Sequence, residues 1–317
     1  MARKVILVTG GAGFIGSHLV DELIRRRFNV KVIDNLSVTR DNVSRLNDLG
    51  AELHVADISN FDAISPIFDG VDGVIHLAAM NRAQRSIDNP IVAHKANIDG
   101  TINVLESCRI NNVKRVVNIS SSSVYGNSLK YPRHEDNELI PPHPYGVGKL
   151  AGENYARVFH ELFGIQTATA RLFSVFGPRQ RPDITYAAVI PKFIHNIHAG
   201  KPIEVYGDGS QKRSFTFVSD AVHGILSVYE KARGKGEVYN IAAPEEVSIN
   251  DLVREIEFVT GKKAIIRNTP PLKGDPEKNT VDIRRASANL GFNAKFSLRN
   301  GLKESYKWIL ANQNLFP

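Results

Sequence analysis

Cysteine, tryptophan and methionine are scarce: the 317-residue chain holds one, one and two of them. With Cys108 alone, an internal disulfide framework and a cysteine-built zinc site are excluded, and no metal is expected. A solitary thiol suits the reducing cytoplasm. No apolar run approaches the roughly 18 residues of a membrane span. The chain enters Val5-Ile6-Leu7-Val8 with no charged leader or cleavage-type segment, so neither a signal peptide nor a membrane partner is expected. Repeats, low-complexity tracts and an obvious linker are missing too. Charge of one sign does not dominate: 40 Lys and Arg against 33 Asp and Glu give a net +7 and a pI near 9.4. The basic residues are scattered, and Arg25-Arg26-Arg27 falls where a helix C-terminus favours cations. Nucleic acid is therefore not an expected partner, whereas a mild positive field favours a small anionic substrate.

What is present is a core-forming composition, 42% hydrophobic, in a telling order. Short apolar runs at 5–8, 30–33, 53–56, 73–78, 113–120 and 167–173 alternate with helical spacing at 13–26, 61–68, 90–111 and 144–163. That alternation predicts an α/β fold, a doubly wound parallel sheet, with a smaller mixed α/β lobe after it. The later pattern predicts helices at 187–197, 219–229, 248–261 and 298–310, and short strands at 203–206, 214–218 and 238–242. The expected division is 1–173 for dinucleotide binding and 174–317 mainly for substrate, with later segments returning to the first lobe.

Gly10-Gly11-Ala12-Gly13-Phe14-Ile15-Gly16 lies between the first expected strand and helix, the context in which such glycines receive a pyrophosphate. Asp34 ends the second strand, where a carboxylate accepts from both ribose hydroxyls and repels a 2′-phosphate, favouring NAD over NADP. Asp57-Ile58 ends the third and is placed to meet adenine. Tyr145 and Lys149 are four apart and share a helix face. A cation against the phenol favours phenolate, bringing a pKa of ~10 toward the range of a general base. Taken singly, each has a plainer reading, a loop cap for Asp34 and a solvated helix face for the Tyr/Lys pair.

With Thr9 to Gly16, Asp34-Asn35-Leu36-Ser37, His76-Leu77-Ala78-Ala79, Asn97-Ile98-Asp99-Gly100-Thr101, Ser121-Ser122-Ser123-Val124-Tyr125-Gly126, Tyr145 to Lys149, Gly207-Asp208-Gly209-Ser210 and Tyr239-Asn240-Ile241, the chain resembles the extended short-chain dehydrogenase/reductases. Among them it is similar to the NAD-dependent nucleotide-sugar epimerases of the UDP-glucose 4-epimerase type. The resemblance implies a Rossmann sheet and NAD as cofactor. It gives Ser121, Tyr145 and Lys149 the catalytic roles, Tyr145 as acid/base, Ser121 bridging it to the sugar C4 oxygen, and Lys149 on the nicotinamide ribose. Gly10, Gly13, Phe14, Ile15 and Gly16 would meet the pyrophosphate, and Asn35 and Ser37 would sit beside Asp34. Leu77, Ala78 and Ala79 would line the adenosine ribose, with Asn97 and Phe173 toward nicotinamide.

On the substrate side the resemblance points to Arg213 for the diphosphate and Tyr206 for uracil. Ser174 stands where the family often has asparagine. Lys273, after Leu272, stands near a usual second arginine, and Asn279 at a position that limits bulk at the hexose C2. The implied function is interconversion of UDP-glucose and UDP-galactose through a transient 4-keto sugar, by a homodimer joined through the helices at 90–111 and 144–163. Dehydration is disfavoured, because Ser122 and Ser123 replace the Asp-Glu of dehydratases. A UDP-glucuronate epimerase or decarboxylase, with Arg179 and Arg181 available to a carboxylate, and another NDP-sugar oxidoreductase remain alternatives. So does a non-catalytic NAD-binding regulatory protein.

Overall fold

The computed structural model describes residues 3–271 and 278–316. Its first part winds β1 (Val5–Thr9), α1 (Phe14–Arg25), β2 (Asn29–Asp34), α2 (Val43–Asp48), β3 (Glu52–Val55), α3 (Phe61–Ile64) and β4 (Gly73–His76). There follow α4 (Ala83–Asp88), α5 (Pro90–His94), α6 (Gly100–Ile110), β5 (Arg115–Ser121), α7 (Pro144–Phe163) and β6 (Gln166–Leu172). The rest supplies β7 (Val175–Phe176), α8 (Val189–His198), β8 (Ile203–Tyr206), β9 (Lys212–Arg213), β10 (Thr216–Phe217), α9 (Val218–Lys231) and β11 (Lys235–Ile241). It closes with β12 (Val247–Ser248), α10 (Ile249–Thr260), β13 (Ile266–Thr269), β14 (Lys278–Asn279), α11 (Arg284–Leu290) and α12 (Leu298–Ala311).

Seven parallel strands form the central sheet in the order β11-β6-β5-β4-β1-β2-β3, the doubly wound architecture the sequence predicts. The strand order reverses between β1 and β4, the switch point where such sheets open a crevice for ligand. Alternation builds both faces. Ile6 and Val8 pack with Leu19, Val20 and Leu23 of α1; Leu7, pointing the other way, packs with Val104, Leu105 and Phe159. β11, far along the chain, completes the sheet beside β6. Among the described residues no helix is long and apolar enough to cross a membrane.

Two expected helices differ. The segment 90–111 breaks into α5, a wide π turn over Lys95–Asp99, and α6; π turns of this kind gather at functional sites. In 61–68, Pro66 brings a missing donor, and the helix gives way to a 3₁₀ turn at Ser65–Phe68. α7 keeps its expected bounds because both ends are locally encoded. Pro144 occupies the first turn, His143 Nδ1 accepts from the Gly146 amide at 3.1 Å, and Gly164 ends the helix at φ +70°.

Beneath the strand ends lies a polar network with no local sequence signal. Arg171 of β6 donates to Glu153 of α7 through Nε (2.8 Å) and Nη2 (2.6 Å), and Ser120 Oγ donates to the same carboxylate at 2.5 Å. Arg171 also donates to the Tyr125 hydroxyl (2.8 Å), which donates to Asn240 Oδ1 (2.7 Å). The two charged side chains are 3% and 5% exposed, so removing one leaves the other buried and unpaired. Arg171→Met should cost about 3–5 kcal/mol in urea unfolding, whereas Arg171→Met with Glu153→Leu should recover much of that loss.

Candidate active site

The glycine loop is tight because nothing larger fits. Gly10 has φ +73°, and a Cβ there would lie 2.8 Å from the Ala78 amide nitrogen; at Gly16 it would lie 2.1 Å from the Gly10 carbonyl oxygen. α1 starts after Gly13 with no side-chain cap and no acidic residue in its first turn, leaving the amides around Phe14 and Ile15 to receive an anion. Asp34 shapes this loop from β2: its carboxylate accepts from the Ala12 amide at 3.0 Å and the Leu36 amide at 2.8 Å. Burial raises its pKa, against those hydrogen bonds. Asn35 Nδ2 donates to Asp57 at 2.7 Å, and the Ser37 amide donates to Asn35 Oδ1. Ile58 is buried and close against Gly100. A narrow backbone cradle, an open helix N-terminus and a carboxylate at the end of β2 together fit a dinucleotide.

Leu77, Ala78 and Ala79 follow β4. Thr9 Oγ1 accepts from the Ala78 amide (3.2 Å) and bonds His76 Nδ1 (2.7 Å), while His76 Nε2 meets Thr101 Oγ1 (3.0 Å). Burial drops His76 to about 3, so it is a neutral brace. Asn97, in the π turn, spends both ends of its amide on Met80: Oδ1 accepts from its amide at 2.8 Å and Nδ2 donates to its carbonyl at 3.0 Å. It also abuts Gly148 of α7. Phe173 is fully buried among Val124, Tyr125, Ala242 and Val281.

Ser121 and Tyr145 come together from β5 and α7, with Ser121 Oγ donating to Ser123 Oγ at 3.2 Å. Ser121 Oγ also accepts from the Ser123 amide at 3.2 Å. The Tyr145 amide donates to Ser86 Oγ of α4 at 3.0 Å, and its ring stacks on His143 with centroids 6.1 Å apart. Burial raises the Tyr145 pKa; the Ser121 hydrogen bond and the charge of Arg82 lower it. Lys149 is buried one turn on, with Nζ donating to the Ile119 carbonyl at 2.7 Å. Burial brings it down to about 8, opposed by Glu153. The sequence reading places this lysine against the phenol; here its ammonium meets the Ile119 carbonyl, and the charge of Arg82, which that reading missed, also lowers the phenol's pKa. Glu153, beneath Lys149, was missed as well. The only local hint of Arg82 is a cation four residues before Ser86, in a segment without periodicity.

On the substrate side, Ser174 is exposed and holds φ +34° just after β6. Tyr206 ends β8, its carbonyl accepting from Gln211 Nε2 at 2.9 Å. Arg213 in β9 pairs in register with Asn279 of β14 and with Val247 of β12, so the strands bring positions 213 and 279 together. Lys273 lies outside the described residues. Arg179 and Arg181 are ion-paired: Arg179 donates through Nη2 to Asp21 at 2.6 Å, its buried Nη1 having no hydrogen-bond partner among the described residues, and Arg181 bridges Asp41 (2.7 Å) and Asp183 (2.5 Å).

The model of the NAD-dependent epimerase/dehydratase family matches residues 6–242. The uncharacterized UDP-glucose epimerase YtcB of Bacillus subtilis (strain 168) is 36% identical, over 96% of this chain and 97% of its own length. The crystal structure of UDP-glucose 4-epimerase from Thermotoga maritima, with UDP-glucose, superposes with a TM-score of 0.93 at 33% identity, covering 98% of this chain and 99% of that one. UDP-glucuronic acid 4-epimerase from Bacillus cereus, with UDP-glucuronic acid and NAD, gives 0.90 at 34% identity, covering 98% and 100%. With a matched family model, a shared fold along the whole chain and a cradle that fits the dinucleotide, this chain belongs to the NAD-dependent epimerase/dehydratase family of extended short-chain dehydrogenase/reductases, and NAD is its cofactor.

Proposed function

We propose that the chain is a UDP-hexose 4-epimerase acting on UDP-glucose and UDP-galactose. The observation that carries this reading is the convergence of Ser121 from β5 and Tyr145 from α7 at the sheet's ligand-binding edge, one helical turn from a buried Lys149. Held by this cradle, NAD would supply the hydride acceptor and donor for sugar C4. The chain's residues handle the proton and the geometry. Tyr145, as phenolate, accepts the proton of the C4 hydroxyl and later gives it back, while Ser121 aligns hydroxyl and phenol. Lys149 holds the nicotinamide ribose, and its positive charge favours the phenolate.

Gly10, Gly13, Phe14, Ile15 and Gly16 hold the pyrophosphate, with Asp34, Asn35 and Ser37 at the adenosine ribose and Asp57 and Ile58 at adenine. Leu77, Ala78 and Ala79 form the floor. Asn97 and Phe173 support the nicotinamide half, from buried positions. Arg213 and Lys273 take the diphosphate, Tyr206 the uracil, and Ser174 and Asn279 border the hexose. A sugar gripped by its diphosphate and loosely held at the hexose can present either face of the ketone.

A neutral hexose is favoured by Arg179 and Arg181, whose guanidinium groups are already paired with Asp21, Asp41 and Asp183. A uronate is the second reading, supported by the Bacillus cereus neighbour. An NMR assay of purified protein with UDP-, dTDP- and GDP-sugars, and no added NAD, separates them. Interconversion of UDP-glucose and UDP-galactose supports the proposal; turnover of UDP-glucuronate alone moves the assignment. Silence that persists when NAD is then added to saturation favours a regulatory role.

The same reading includes a cytoplasmic homodimer. Cys108 is a free, buried thiol. Exposed Ile91 and Val92 on α5 lie beside α7, whose exposed Val147, Tyr155 and Leu162 recur at helical spacing. Light scattering should give twice the chain mass, and Leu162→Glu should yield monomer.

A further inference from the structure

The amides that open α7 each have a partner, and one of them is met from another helix. An α-helix leaves its first N–H groups without intrahelical acceptors. At the start of α7, Pro144 has no N–H to satisfy. The Gly146 amide donates to His143 Nδ1 at 3.1 Å, and the Val147 amide to the His143 carbonyl at 3.1 Å. That leaves the amide of Tyr145 itself. Its acceptor is Ser86 Oγ of α4, at 3.0 Å and 59 residues earlier in the chain.

Ser86 is itself held in place. It is fully buried, and its hydroxyl donates to the Ala83 carbonyl at 2.6 Å. With that proton spent inside α4, the oxygen serves α7 as an acceptor. The chain enters α4 through Arg82 at φ +78°, ψ 128°, a conformation L side chains rarely adopt. The Arg82 carbonyl then accepts from the Ser86 amide at 3.2 Å. Ser86 thus has its amide, its hydroxyl proton and an oxygen lone pair all engaged, the last on the residue that carries the phenol.

We propose that Ser86 is a positioning residue for the reaction, acting through Tyr145: its hydroxyl holds the Tyr145 backbone, so that α4 sets where the phenol stands. The proposal rests on the reading of Tyr145 as acid/base. A helical side chain takes its direction from the backbone beneath it, so a first turn that shifts carries the phenol off line. A misplacement of about 1 Å is enough to cost on the order of 10²-fold in rate. The helix's own cap does not duplicate the serine, because both acceptors of His143 are spent on Gly146 and Val147. Without Ser86 the Tyr145 amide must find another partner or turn toward water.

The test is steady-state kinetics of Ser86→Ala and Ser86→Thr, alone and combined with Tyr145→Phe, on the sugar nucleotide that the parent turns over. Ser86→Ala should lower kcat by about 10–100-fold with KM and bound NAD per chain unchanged. Ser86→Thr, which keeps the hydroxyl, should recover most of the rate. On top of Tyr145→Phe, Ser86→Ala should cost nothing further, because a residue that acts through the phenol has nothing to act on once the phenol is gone. Parent-like kcat in Ser86→Ala overturns the proposal. A loss that repeats in full in the Phe background, or one that NAD content shares, does so too, by making Ser86 a structural residue. Amide exchange on protein carrying isotope-labelled tyrosine reads the tether without any sugar. The Tyr145 signal, identified by its absence in Tyr145→Phe, should exchange about tenfold faster in Ser86→Ala; an unchanged rate contradicts the tether. A Tyr145→Phe protein as fast as its parent would instead remove the acid/base reading, so that single variant tells the two failures apart.

Discussion

Tyr145→Phe should lower turnover by ~10²–10⁴-fold while the protein folds, binds NAD and retains its affinity for the sugar nucleotide. The phenyl ring keeps the stacking on His143 at the start of α7, so what is lost is the hydroxyl alone. Rapid equilibration of the variant with UDP-glucose, followed by NMR, measures the rate; calorimetry with the nucleotide sugar measures binding. A Phe variant near the parent's rate would remove Tyr145 from the chemistry. Loss of both binding and rate would make it a structural residue.

The second large effect is on the cofactor. A methyl group at Gly16 would sit 2.1 Å from the Gly10 carbonyl oxygen and 2.7 Å from the Gly11 Cα. Both are backbone atoms of the turn, so neither can swing aside as a flexible side chain could. Gly16→Ala should therefore push the loop away from the pyrophosphate, weakening NAD at least tenfold, roughly 1.4 kcal/mol. The same crowding should cost about 1–3 kcal/mol of stability. Cofactor released from the denatured protein, per chain, is the first readout, and a binding titration the second. A variant that copurifies with a full complement of NAD would contradict the cradle described above.

The glycine turn and the helix face shared by Tyr145 and Lys149 were readable in the sequence because their patterns are local. A β-branched run, closely spaced glycines and a helix form one continuous unit, and a Tyr/Lys spacing of four identifies a helix face wherever the helix goes. α7 was delimited by Pro144 and Gly164 for the same reason. Other features depend on contacts that no local pattern carries. Arg171 and Glu153 meet only because β6 lies under α7. Positions 213 and 279 become neighbours through the pairing of two-residue strands too short to show any periodicity.

The break within 90–111 escaped notice because the residues of the π turn are compatible with ordinary helix. It is the fit of Asn97 to Met80 that selects the wider turn here. Lys149 illustrates a subtler difference. Spacing places it on the face of Tyr145, but a buried ammonium takes the nearest good acceptor, and β5 offers the Ile119 carbonyl. The positive φ of Arg82 and its tether to α7 through Ser86 are likewise tertiary and appear only in the folded chain.

The central claim is that hydride leaves C4 and returns to the same carbon while Tyr145 carries the proton. UDP-glucose bearing deuterium at C4, incubated with the purified protein in ordinary water, tests this most directly. The account predicts UDP-galactose that retains the deuterium at C4, because the label travels with the hydride and never meets solvent. A C4 epimer whose label has washed out, or a product altered at C5 or C6 with C4 unchanged in configuration, would contradict it.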